Sequence, residues 1–278
     1  MSSNTPAPRL SAGDRVAGGS DLESRGRVGA ILTRAHDQTL FLVTARHVVH
    51  EGRVVFENGI PVGLDHGFPD EQSLVEGVPD ISASLAFIRI LPTVFVCPES
   101  ARSYQVVSPH NLLGKKVSNT ARTSDATGTL VAFGLPLHLR HRAADVVRHY
   151  NGALQVGTSL LADLPFAGPG DSGAAVVESD NSIVGFILGG VRGAVFLAPA
   201  SCALRNGEFR FASRSEIGVH NSSVLDNRPR KLETGKGKRR ARRDVAVAAS
   251  GDQDWSTTDD FASRLKNSNP LYEPMVQV

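Results

Sequence analysis

The length of its apolar runs most narrows what this chain can fold into. From Val28 onward they alternate with turn residues: Val28–Thr33, Leu40–Thr44, Val54–Phe56 and Leu85–Leu91. Runs this short are strand-sized, too brief for amphipathic helices, and Asn58-Gly59 between two of them is a tight-turn signal. After Pro98 a polar connection extends to about Leu112. A second series follows: Gly128–Phe133, Ala153–Val156, Ala174–Val177, Ile183–Leu188 and Ala194–Leu197. Two groups of short strands predict two antiparallel β units joined by a linker, with no heptads, internal repeat or long helix.

Of the 278 residues, 41% are hydrophobic and 21% charged, which supplies a real core and excludes fully disordered and collagen-like chains. No run approaches the roughly 18 apolar residues that cross a bilayer, and Met1 to Gly13 is polar with no apolar secretory stretch. The expectation is a soluble, cytoplasmic protein. Cys97 and Cys202 are its two cysteines, so a disulfide framework is excluded. No Cys/His cluster has zinc spacing, and neither a metal nor a cofactor is expected.

The formal charge of +2 hides an asymmetry. Residues 228–243 hold nine basic residues and one acid, Glu233, leaving 21 basic and 27 acidic residues elsewhere, a net of −6. Lys236, Lys238, Arg239, Arg240, Arg242 and Arg243 form the densest part, which reads as a solvated linker, an RNA-binding run or a nuclear import signal. Past Ser213 the apolar pattern fades, and the remainder is too poor in apolar residues to build its own core. One short helix is predicted around Thr257–Leu265. The predicted division is a disordered leader (1–13), an N-terminal barrel (14–105), a C-terminal barrel (106–212) and a flexible basic and acidic tail (213–278). Within the tail, Leu232–Thr234 or Val245–Ala249 are candidate cleavage junctions, and Tyr272 is a candidate attachment point or apolar anchor.

Two motifs carry chemistry. Gly168-Pro-Gly-Asp-Ser-Gly173 precedes the apolar Ala174–Val177. A serine set between glycines after a tight turn presents its hydroxyl outward, while the Gly170 and Ser172 N–H groups converge as an oxyanion hole. Each such donor is worth on the order of 3 kcal/mol to the transition state. Alone, this string is more often an ordinary Gly-rich turn. The second motif, Leu42-Val-Thr-Ala-Arg-His47-Val-Val49, ends a buried strand and puts His47 on a turn; a lone histidine there is more often structural.

Taken together, Thr-Ala-x-His-Val-Val and Gly-Asp-Ser-Gly, one in each β unit, resemble the trypsin/chymotrypsin-like serine proteases over residues 14–212. The resemblance implies an all-β fold of two six-stranded antiparallel barrels with the site between them. It implies His47 as general base, Ser172 as nucleophile, and the Gly170 and Ser172 N–H groups as oxyanion donors. Phe166 and the Ile187, Gly189 and Gly190 strand would border the substrate, with no charged partner for Arg, Lys, Gln or Glu. The lack of a Cys after the histidine is similar to intracellular and viral members.

The acid departs from the family frame. Ser84 occupies the usual Asp position in Ser84-Leu-Ala-Phe-Ile-Arg-Ile90, and Asp80, four residues earlier, is favoured as the triad carboxylate through a bulge. Ser84, Asp65 and Asp70 remain alternatives, and Asp80 also suits a plain turn after Pro79. Arg15-Val-Ala-Gly-Gly19 resembles a zymogen activation site whose new N-terminus would pair with Asp171; a flexible Gly turn is the other reading. The resulting expectation is a serine endopeptidase resembling viral polyprotein-processing enzymes, with a peptide or polyprotein substrate. The alternative is a catalytically inactive protease-fold scaffold that binds peptide or RNA.

Overall fold

The computed structural model describes residues 7–18, 25–49, 53–56, 58–66, 74–75, 78–101, 104–106, 108–122, 126–141, 146–159, 165–179, 182–191, 193–226 and 272–274. The basic run, both candidate cleavage junctions, Asp70 and the predicted 257–265 helix lie outside them.

Seven strands build the first barrel: β1 (Arg15–Ala17), β2 (Arg25–Arg27), β3 (Ala30–Arg34), β4 (Leu40–Ala45), β5 (Arg53–Phe56), β6 (Pro61–Asp65) and β7 (Leu85–Ile90). They pair in the order β3-β4-β7-β6-β5-β1-β2. Only Val28 and Gly29 separate β2 from β3, so the chain itself closes the ring and the two act as one kinked strand. That makes six sides, as predicted. Every residue of β4 is buried, because one face fills the barrel and the other packs toward the second barrel. This explains why Leu40–Ala45 reads as a continuous apolar run rather than an alternating one.

The second barrel contains β8 (Lys116–Asn119), β9 (Thr127–His141), β10 (Val146–Gly157), β11 (Ala175–Val177), β12 (Ser182–Val191) and β13 (Ala194–Pro199). Pairing runs β12-β11-β8-β9-β10-β13 and returns from β13 to β12, a closed six-stranded ring. Val117, Leu130, Val156, Val184, Ile187 and Leu197 fill its interior. On β12, Ile183, Phe186 and Leu188 belong instead to the core shared with the first barrel. β9 and β10 run on past the ring as a long hairpin, and Asn151 on its inner side bridges to Asp80.

Regular structure lies on both sides of Ser213: β14 (Phe209–Phe211) pairs with β3 before it, and helix α1 (Arg214–Asp226) follows it. α1 packs on the segment Phe95–Val96 through Ile217, Asn221 and Val224, spaced i, i+4, i+7. The buried Asn221 amide satisfies both backbone groups of Val96, accepting from its N–H at 2.9 Å and donating to its carbonyl at 2.7 Å. Ser213 and Glu216 form a reciprocal capping box: the Glu216 N–H donates to Ser213 Oγ, and the Ser213 N–H to Glu216 Oε2. A helix with one polar residue on its buried stripe gives a faint periodic signal, and the Ser-x-x-Glu spelling is the signal that could have found it. At the other end the leader is not wholly free, since Arg9–Leu10 pairs in parallel with Phe95–Val96 and Leu10 is fully buried.

Candidate active site

β4 carries the first motif to Ala45, and the 3₁₀ turn Arg46–Val48 then redirects the chain and presents His47 between the barrels. The ring is partly covered, and burial pushes its pKa down from 6.5 to about 4, so the imidazole is neutral at physiological pH. Beside it, Arg46 is paired with Asp65.

The second motif is a tight turn into β11. Gly170 and Gly173 have φ of +84° and +87°, the left-handed region that a side chain resists. The Asp171 N–H donates to Gly168 O at 3.1 Å, and the Ala174 N–H to Asp171 O at 3.0 Å. Neither the Gly170 nor the Ser172 N–H donates to another group among the described residues. These are the two donors that an oxyanion hole needs. Beneath the turn, the buried Asp171 carboxylate accepts from Arg122 Nε at 2.7 Å and from the Gly168 N–H at 3.0 Å. Arg27 Nε lies 3.7 Å away as a second cation.

Strand β2 clamps the two motifs together. The Arg27 N–H donates to Ser172 O at 2.7 Å, while Arg27 O accepts from Thr44 Oγ1 at 2.8 Å. Gly26 is wedged so tightly that a Cβ there would lie 2.3 Å from Val48 Cγ2 and 2.6 Å from Ser172 O. Residues adjacent to His47 and residues of the serine turn thus meet on opposite sides of one glycine. Gly173 is equally enclosed, since its Cβ would meet Thr44 Oγ1 at 2.3 Å and Ala45 N at 2.9 Å.

Asp80, the acid that the sequence reading favoured, is placed at the start of a short turn. β7 pairs with β4 through Leu85↔Ala45, and the 3₁₀ turn Ile81–Ser84 sits beside the His47 turn. Asp80 is the exposed cap of that turn: its Oδ1 accepts from the Ser82 N–H at 2.8 Å, and it is not bonded to His47. The turn takes up the chain between Asp80 and Ser84, so the carboxylate satisfies its own backbone. Ser84, in the family's acid position, is buried and donates from Oγ to Ile81 O at 2.5 Å.

Of the predicted substrate residues, Phe166 and Ile187 lie in the core of the second barrel, 3% and 2% exposed, and Phe166 O accepts from Asn119 Nδ2 at 2.9 Å. Gly189 and Gly190 pair with Phe196 and Val195 near the end of β12, where Gly190 is exposed. Arg15 is the first residue of β1, with Val16 fully buried behind it. The Asp171 partner is therefore Arg122, with Arg27 behind it, rather than a new N-terminus. Sequence reasoning missed Gly26, Arg27, Asn119 and Arg122, which carry no motif of their own. Among the described residues, no cluster of three or more His, Cys, Asp or Glu is placed to hold a metal ion, and no helix is long and apolar enough to cross a membrane.

Two closed six-stranded barrels, with a histidine turn from one and a Gly-Asp-Ser-Gly turn from the other brought together, define the chymotrypsin-like serine protease fold. The chain is similar in fold to protease A of Thermobifida fusca, with a TM-score of 0.50 at 18% identity, over 74% of this chain and 99% of that one. It is similar to the same degree, 0.50 at 18% identity, to the Nocardiopsis protease NAPase, over 74% of this chain and all of that one. No protein-family model matches the chain, and no curated sequence does.

Proposed function

We propose that this chain is a serine endopeptidase acting through an acyl-enzyme. The observation that carries the reading is the clamp on Gly26 and Arg27, which holds the His47 and Ser172 turns together while leaving the Gly170 and Ser172 N–H groups for an oxyanion. His47 takes the Ser172 proton as Oγ attacks the scissile carbonyl, and the two N–H groups stabilise the tetrahedral oxyanion. The imidazolium then protonates the leaving amine. A water, deprotonated by His47, attacks the ester and releases the acid, and the proton returns to Ser172.

Phe166 and Ile187 offer no charge to a substrate side chain, which supports a small or aliphatic residue before the scissile bond. A polyprotein substrate, and RNA binding by Lys236 to Arg243, rest on the sequence resemblance and the basic run. The second reading is an inactive scaffold of the same fold, in which Asp80 serves as the cap of its own turn. Labelling with a fluorophosphonate separates the two. Modification of Ser172 in the wild type, lost in Ser172→Ala and His47→Ala variants that keep their folded circular dichroism, is expected; an unreactive wild type would mean a scaffold.

A further inference from the structure

The second barrel leaves one long edge. β8 covers only Thr127–Thr129 of β9, so from Val131 onward its outer side has no barrel partner among the described residues, while β10 takes the inner side as far as His141. An unpaired row of N–H and C=O groups is a template for another extended segment. The chain itself fills the end of this row. Tyr272–Pro274 pairs antiparallel with Leu139–His141, in the register Leu139↔Pro274, Arg140↔Glu273 and His141↔Tyr272. The same segment lies beside β12, the strand that carries Gly189 and Gly190 just before its last residue, Val191.

The register selects the bonding. Antiparallel pairs alternate between exchanging two hydrogen bonds and none, and Pro274 has no N–H to give. The ladder that loses nothing is the one in which Glu273 and Arg140 exchange both bonds, while the Tyr272 N–H and the Pro274 nitrogen face away. Among the described residues, Glu273 is then the one that holds the segment to the edge by its backbone, an anchor made effective by its tether to the same chain.

We propose that the outer edge of β9 at Leu139–His141 is a strand-docking subsite for extended peptide, and that Tyr272–Pro274 occupies it in cis and competes with substrate. This rests on the endopeptidase reading for its effect on turnover, but the docking stands apart from it. The test uses the full-length chain carrying Glu273→Pro, which removes the N–H that this register gives to Arg140. Hydrogen exchange reads the docking: the Arg140 amide is protected in the wild type and loses protection in the variant. Hydrolysis of a short reporter peptide reads the competition: KM falls several-fold in the variant, kcat and the fluorophosphonate labelling rate of Ser172 hold, and a synthetic peptide of residues 269–278 added in trans raises KM again. Unchanged Arg140 exchange would overturn the docking. Altered exchange with an unchanged KM would overturn the competition. A chain that neither labels nor hydrolyses would remove the endopeptidase reading, and exchange would still decide whether the strand docks.

Discussion

At the scale of single residues, the proposed chemistry depends on the protonation of His47 and on what orients it. Burial holds the ring well below 6.5, at about 4, and a general base works only when neutral. The acid limb of kcat/KM is therefore expected near pH 4, and a limb centred near 6.5 would mean that a neighbouring carboxylate restores the imidazolium. The same depression feeds stability: His47 favours the folded state above pH 6.5, and that contribution is lost between 6.5 and about 4 as the unfolded chain takes up the proton first. Asp80 is read from its bond to Ser82. Asn keeps an acceptor at the cap, so Asp80→Asn should fold normally and lower turnover less than about tenfold, against roughly 10⁴-fold for a true triad acid. Steady-state kinetics at pH 7 decides, and a loss of the larger size would return Asp80 to the imidazole.

At the scale of elements, β2 does what the motifs cannot do alone. Gly26→Ala places a methyl between Val48 and Ser172 O with no room for it, and neither a Cβ-branched side chain nor a backbone oxygen yields cheaply. A stability loss of about 1–3 kcal/mol is expected, with a disproportionate fall in kcat as the serine and histidine turns are forced apart. Denaturant titration beside kinetics would show whether activity falls further than stability. The turn above Asp171 is held by Arg122 and Arg27 from within the chain. Cleavage after Arg15 is therefore unnecessary, because β1 is already paired and Val16 buried. Arg15→Gln should leave hydrolysis unchanged with the N-terminal residues intact by mass; an inactive variant would restore the zymogen reading.

At the scale of the whole molecule, specificity follows from how the barrel is filled. Phe166 and Ile187 are both packed into the second core, so the region beside the serine lacks a charged or imidazole recognition group at those positions. A peptide-library profile is expected to favour Ala, Val or similar residues before the cut, and dominance by Arg, Lys, Gln or Glu would refute it. Helix α1 adds to this body as far as Asp226, burying Ile217 and Val224 over the N-terminal strand pair.

The sequence by itself determined the two-barrel plan, since strand-length apolar runs in two groups have few other ways to bury both faces of β4 and β12. It also marked Gly170, Ser172 and His47, because the roles proposed for them demand particular residue types at the ends of strands: a glycine where φ is positive, a hydroxyl on a tight turn, an imidazole after an apolar strand. Only the tertiary structure decided what faces those residues. Gly26, Arg27 and Arg122 act through contacts made by chain segments distant in sequence, and nothing in their local spelling records the neighbour. Asp80 shows the same limit from the other side. Strand parity aligned it with Ser84, but a single 3₁₀ turn offers its carboxylate a backbone N–H two residues away, a contact that parity does not record.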